Sequence, residues 1–209
     1  RDRQTIKLTY EEEFAIHTAS KNSKKVVVII YAGAPIDMSE WIDAVDAVVF
    51  AGYLGENENQ AISDVLTGKI NPSGNLSETF PYSLEDTYLN DDTGDGDFES
   101  YSDKIYIGYR YFDIEDIEPL FEFGYGLSYT TFEYKDLCIK QIDETTFEVS
   151  YKITNTGKIP GKEISQVYVS DATAMVPREI KSLKAYSKDL IQPGETKEIK
   201  VILDKHAFA

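Results

Sequence analysis

The chain has 209 residues, 42% hydrophobic and 12% aromatic, which is enough apolar material for one large domain or two small ones. Its 37 acidic residues against 21 basic ones leave a net charge of −16, which repels a nucleic-acid backbone or an anionic membrane surface. A single cysteine, Cys138, excludes an internal disulfide framework and a cysteine-rich metal site. No apolar run reaches the roughly 20 residues that a membrane-spanning helix needs.

From the start to about Ser83 the chain reads as alternating helix and strand. Thr9 and Glu12 have the spacing of a capping box, ahead of a helix expected to run to about Asn22. Val26 to Ala32 is β-branched and apolar on both faces, which predicts an interior strand rather than an edge. After Gly33-Ala34-Pro35, the residues Met38, Trp41, Ile42 and Val45 recur at helical spacing and predict one buried helical face. Ala47 to Ala51 reads as a second buried strand. Ala61, Ile62, Val65 and Leu66 form another helical stripe, with Gly68 placed for a left-handed cap.

From Asn71 the texture changes. Asn71-Pro72-Ser73-Gly74 is turn chemistry, and Tyr82 to Ser102 is polar and acidic without a period, as a long surface connection would be. Beyond Tyr129 the period becomes two, at Phe147, Val149, Tyr151 and Ile153 and again at Ile199, Val201 and Leu203, with turns at Asn155-Thr156-Gly157 and Pro193-Gly194. This predicts an antiparallel β-sandwich with one solvated face. The expected fold is therefore α/β followed by all-β: part of an αβα sandwich layer over residues 1–90, a connecting loop region over 91–128, and a β-sandwich over 129–209.

Several features could carry chemistry. The acidic loop from Asp91 to Asp97 has the carboxylates of a calcium loop, but its register puts Thr93 at the third position and Ser102 where the bidentate glutamate belongs, so a solvated linker is expected. Gly33, Gly52 and Gly55 follow strands without forming a phosphate-loop pattern. His17 and His206 are the only histidines, poorly placed for a nucleophile-histidine-acid triad. Asn75-Leu76-Ser77 matches a glycosylation sequon, a three-residue pattern common by chance. Glu56 and Glu58 lie on the loop after the second strand, where open α/β sheets bind ligands. Glycoside hydrolysis needs two carboxyl groups flanking the scissile bond, whereas these two are neighbours on one loop and read as solvated charges.

The blocks "VVVIIYAGA" from Val26, "AGYLGENENQAISDVLTGKINPSGNLSETFP" from Ala51, "YIGYRYFD" from Tyr106 and "PLFEFGYGLSYTTFEY" from Pro119, together with Trp41, resemble glycoside hydrolase family 3 in order and spacing. The later stretches "ITNTGKIPGKEISQVYVSD" and "LKAYSKDLIQPGETKEIKVIL" resemble that family's fibronectin-III-like domain. The resemblance implies a fragment of a retaining, exo-acting β-glycosidase, most often a β-glucosidase, acting on a β-linked oligosaccharide or glucoside without a cofactor or metal. The nucleophilic aspartate of such enzymes sits on a separate (β/α)8-type barrel, which nothing in this chain resembles. Asp2-Arg3 looks like the end of the family's Glu-Gly-x-Asp-Arg stretch, which makes Asp2 and Arg3 candidate substrate-binding residues and puts the acid/base glutamate just before Arg1. The resemblance thus implies that no catalytic group lies in the chain, that the barrel is a partner on this or another polypeptide, and that the sandwich lacks its last strands, leaving an exposed edge. The low cysteine content leans towards a bacterial cytoplasmic enzyme. A non-catalytic module binding carbohydrate or protein is the alternative, since fold resemblance does not guarantee chemistry.

Overall fold

The computed structural model describes residues 5–88, 101–171 and 173–208. They fall into two compact units, one formed by Arg1–Ser63 with Leu76–Tyr125, the other by Asp64–Asn75 with Gly126–Ala209.

The first unit opens with helix α1, Tyr10–Asn22. Thr9 caps it: Glu12 N–H donates to Thr9 Oγ1 at 3.3 Å and Thr9 N–H donates to Glu12 Oε2 at 2.8 Å, which completes the expected capping box. Strands β1, Val27–Ile30, and β2, Ala47–Phe50, follow and pair in parallel from Val27 opposite Ala47 to Ile30 opposite Phe50. Lys25 and the Val26 N–H both bind the Asp46 carboxylate, which ties the entrances of the two strands together and holds that carboxyl below the usual carboxylate range, the Lys25 hydrogen bond being the larger cause.

Two expectations change here. Among the described residues β1 has β2 as its one hydrogen-bonded neighbour, and Val27 is 44% exposed, so β1 is an edge within them. A wholly apolar run reports what a strand can be buried by, not whether the covering elements lie beside it. Likewise, the stripe of Met38, Trp41, Ile42 and Val45 forms no α-helix. Asp37 accepts from both the N–H and the hydroxyl of Ser39, which closes a side-chain turn. The chain then makes a 3-10 turn over Ile42–Ala44 and extends at Val45. Met38 and Trp41 are nonetheless buried, as their apolar character requires. Four apolar positions over eight residues fit a folded-back turn as well as a helix, and so short a segment gains little from helix propagation.

The core of this unit gathers Ile30, Ala32, Ile36, Met38, Trp41 and Phe80, with Leu120 and Phe121 packed against it. Phe80 meets Phe50 edge-on at 5.1 Å and forms a backbone bridge with Phe121. Helix α2, Glu58–Leu66, ends at Gly68, whose φ of 73° is the left-handed cap expected of it. Helix α3 is the short segment Tyr109–Ile114, with Phe112 buried.

The second unit is an antiparallel sandwich. Strands β3, Phe132–Gln141, and β4, Phe147–Asn155, belong to one sheet; β5, Gly161–Val169, and β6, Ser182–Ile191, form the other. Strand β7, Thr196–Leu203, completes the first sheet in the order β3-β4-β7. Val149, Tyr151 and Ile153 of β4 point inward with Ile199 and Leu203 of β7 and Ile191 of β6, the period-two pattern expected for both strands. Each such aliphatic side chain contributes about 1.5 to 3 kcal/mol of burial. Strand β3 is irregular between Lys135 and Cys138, where Asp136 takes a φ of 58° and pairs with Lys152 at 2.8 Å.

Candidate functional site

In the first unit the residues best placed for a ligand lie beyond the carboxyl ends of β1 and β2. β1 runs into Tyr31-Ala32-Gly33, and β2 into Ala51-Gly52-Tyr53-Leu54-Gly55. The Ala51 N–H donates to the Ile30 carbonyl at 2.8 Å, which keeps the two exits side by side. Gly52 and Gly55 have φ of 63° and 74°, left-handed values that a side chain would strain, so these glycines make the sharp turn in front of the sheet. Tyr53 lies between them, 83% exposed, and its ring rests on Gly33: a Cβ at that glycine would come within 2.5 Å of Tyr53 Cε2.

Glu56 falls in the 3-10 turn Gly55–Asn57 and is exposed; Glu58 begins α2 and is partly buried. The sequence placed both on one loop, whereas the structure puts Glu58 in the first turn of α2; only two positions apart in the chain, they can accept hydrogen bonds from a polyol but do not face each other across a bond. His17 lies within α1, where its carbonyl accepts from Ser20, and His206 lies in the 3-10 turn Lys205–Ala207. The two do not form a triad. Asn75 of the sequon is half-buried and packs against Gly126. Cys138 is exposed on β3. Asp2, Arg3 and the acidic loop from Asp91 to Asp97 lie outside the described residues. Among the described residues no group of three or more His, Cys, Asp or Glu could hold a metal ion, and no helix is long and apolar enough to cross a membrane.

The second unit has an open groove of about 450 Å³ between β3, β4 and β5, lined among others by Tyr134, Leu137, Val149, Tyr151, Ser165 and Val167. The rings of Tyr134 and Tyr151 stack at 6.2 Å. Tyr134 Oη donates to Glu163 Oε1 at 2.7 Å, and the Tyr151 hydroxyl shares a 2.6 Å hydrogen bond with Ser165. Burial raises the Glu163 carboxyl above its ordinary range against the opposing effect of the Tyr134 hydrogen bond, and burial followed by the neighbouring carboxylate raises the Tyr134 hydroxyl. Sequence reasoning missed this tyrosine-carboxylate pair. Its partners come from different sheets, and no local pattern joins positions 134 and 163.

Comparison with known proteins gives the arrangement a context. Residues 1–129 match the glycosyl hydrolase family 3 C-terminal domain, and residues 163–209 match a fibronectin type III-like domain. The chain is 41% identical over its whole length to thermostable β-glucosidase B of Acetivibrio thermocellus, of which it covers 28%. It is 36% identical over 99% of its length to β-glucosidase BoGH3A of Bacteroides ovatus, covering 29% of that protein. The structure of β-glucosidase 3B from Thermotoga neapolitana in complex with α-D-glucose superposes with a TM-score of 0.92 at 37% identity, matching all of this chain and 30% of that one. The chain thus spans under a third of the length of these relatives.

Proposed function

We propose, because this chain belongs to glycosyl hydrolase family 3, that the protein carrying it is a retaining, exo-acting β-glycosidase of the β-glucosidase type. It would remove terminal, non-reducing β-D-glucosyl residues. The observation that carries this reading is the end-to-end similarity to β-glucosidases, at 36–41% identity over 99–100% of the chain for the two relatives above. In this reading the chain supplies an α/β layer that begins within 1–90 and takes in Leu120 and Phe121 from the 91–128 region, and a sandwich over 129–209, while the barrel carries the nucleophile. Asp2 and Arg3 border the sugar site, and the loops at the carboxyl ends of β1 and β2 form part of its wall.

Hydrolysis of aryl β-glucoside, β-xyloside and N-acetyl-β-glucosaminide, by the 209-residue chain alone and by the full protein, tests the reading. Turnover by the full protein with β-glucoside preferred is the expected result, and replacing Arg3 with alanine lowers kcat/KM. Activity of the isolated chain would return Glu56 and Glu58 as catalytic candidates. Absence of turnover in both would leave a binding module, for which the groove at Tyr134 and Tyr151 is the first surface to probe.

A further inference from the structure

Tyr53 has the most exposed aromatic ring among the described residues, at 83%. Exposure alone is ordinary on a protein surface; seating is not. The ring is held by the glycine turn after the neighbouring strand. A Cβ at Gly33 would meet Tyr53 Cε2 at 2.5 Å, Cζ at 3.2 Å and Oη at 3.3 Å, so the hydroxyl end of the ring lies on the Gly33 backbone. Gly52 and Gly55, both left-handed, fix the loop on either side. Tyr31, 47% exposed, stands on the same carboxyl edge at the end of β1, and Glu56 is exposed on the next turn.

We infer that Tyr53, seated on Gly33, is a stacking platform for a pyranose ring of the substrate at the carboxyl edge of β1 and β2, an inference that rests on the glycosidase reading. The chemistry matches a β-glucopyranose. With its hydroxyls equatorial, such a ring presents axial C–H bonds on both faces, and these pack on the electron-rich face of an aromatic ring. The equatorial hydroxyls then reach sideways, where carboxylates such as Glu56 can accept hydrogen bonds. A tyrosine anchored before the ligand arrives loses little side-chain freedom on binding, which is what a platform requires.

The test compares the full protein with its Tyr53→Ala, Tyr53→Phe and Gly33→Ala variants on cellobiose and an aryl β-glucoside. The platform predicts that Tyr53→Ala raises KM by about five-fold with kcat within about two-fold, and that Tyr53→Phe stays close to wild type because it keeps the ring face. Gly33→Ala shifts KM in the same direction as Tyr53→Ala, because the added methyl displaces the ring. An unchanged KM in Tyr53→Ala overturns the platform, and so does equal loss in Tyr53→Phe, which would assign the effect to the hydroxyl. If the wild type hydrolyses neither glycoside, the glycosidase reading fails separately. Calorimetric titration with cellobiose then decides: weaker binding by Tyr53→Ala than by wild type supports the platform, and equal or absent binding overturns it.

Discussion

Thr130 Oγ1 donates a 2.6 Å hydrogen bond to Oδ1 of Asn155, and both residues are buried. Asn155 uses its whole side-chain amide: Oδ1 also accepts from Gly157 N–H at 3.0 Å, while Nδ2 donates to the carbonyls of Ile159 at 2.8 Å and Ile191 at 2.9 Å. One side chain therefore ties the end of β4, the turn after it, the end of β6 and the approach to β3.

Asn155→Ala takes a hydrogen-bond partner from two carbonyls, a hydroxyl and the Gly157 N–H, and should cost about 3 kcal/mol or more, read as a lower urea midpoint. Thr130→Val costs less, about 1 to 2 kcal/mol, because Gly157 still serves Oδ1. Gly157→Ala places a methyl 2.1 Å from Thr130 Oγ1, so its cost should shrink in a Thr130→Ala background. An unchanged midpoint in Asn155→Ala would contradict the role given to this residue.

Phe80 joins Phe50 and Phe121 in the first unit and is 1% exposed. Phe80→Ala should cost about 3 to 5 kcal/mol, while Phe80→Leu, which fills more of the space, loses clearly less. Chemical unfolding of the two variants checks the order, and equal losses would show that the edge-on aromatic contacts rather than volume dominate.

The α1 cap carries a pH signature. The hydrogen bond from Thr9 N–H, then the Thr9 hydroxyl, holds the Glu12 carboxyl below its ordinary range. A lowered folded-state value means that the stabilisation is complete above the ordinary glutamate value and is lost as pH falls through the folded one. Glu12→Gln should cost stability near neutral pH and progressively less in acid, where the wild-type carboxyl is protonated as well. Thermal melts at neutral and acid pH give the comparison; a loss independent of pH would remove Glu12 from the account.

At Glu163 the sign is reversed. Burial raises its carboxyl, so its contribution is full below the ordinary glutamate value and is lost as pH rises through the folded value. Gln can accept the Tyr134 hydroxyl bond without carrying a charge. Glu163→Gln should therefore gain stability relative to wild type on going from acid to neutral pH. If the difference between the two proteins stays flat across that range, Glu163 does not titrate in the folded state as described.

What the sequence determined by itself was whatever is local in the chain. The capping box rests on Thr9 and Glu12, three residues apart; the Gly68 cap follows its own helix; and the inward alternation of β4 and β7 is written in residues two apart. Family membership was readable for the same reason, as contiguous blocks kept in order. Tertiary structure decided the rest. The stripe at Met38, Trp41, Ile42 and Val45 became a turn because a side-chain turn at Asp37 and the return to β2 left no room for helical repeats, although burial of Met38 and Trp41 was the same either way. Asn155 was legible only as a turn residue; its bonds to Thr130 and Ile191, 25 and 36 positions away, left no local pattern. Tyr53 on Gly33 and Tyr134 with Glu163 are likewise pairs made only when strands pair and sheets stack. Local periodicity constrains which face of an element is apolar; which side chains meet depends on contacts distant in the chain, whose closure the rest of the fold must first bring about.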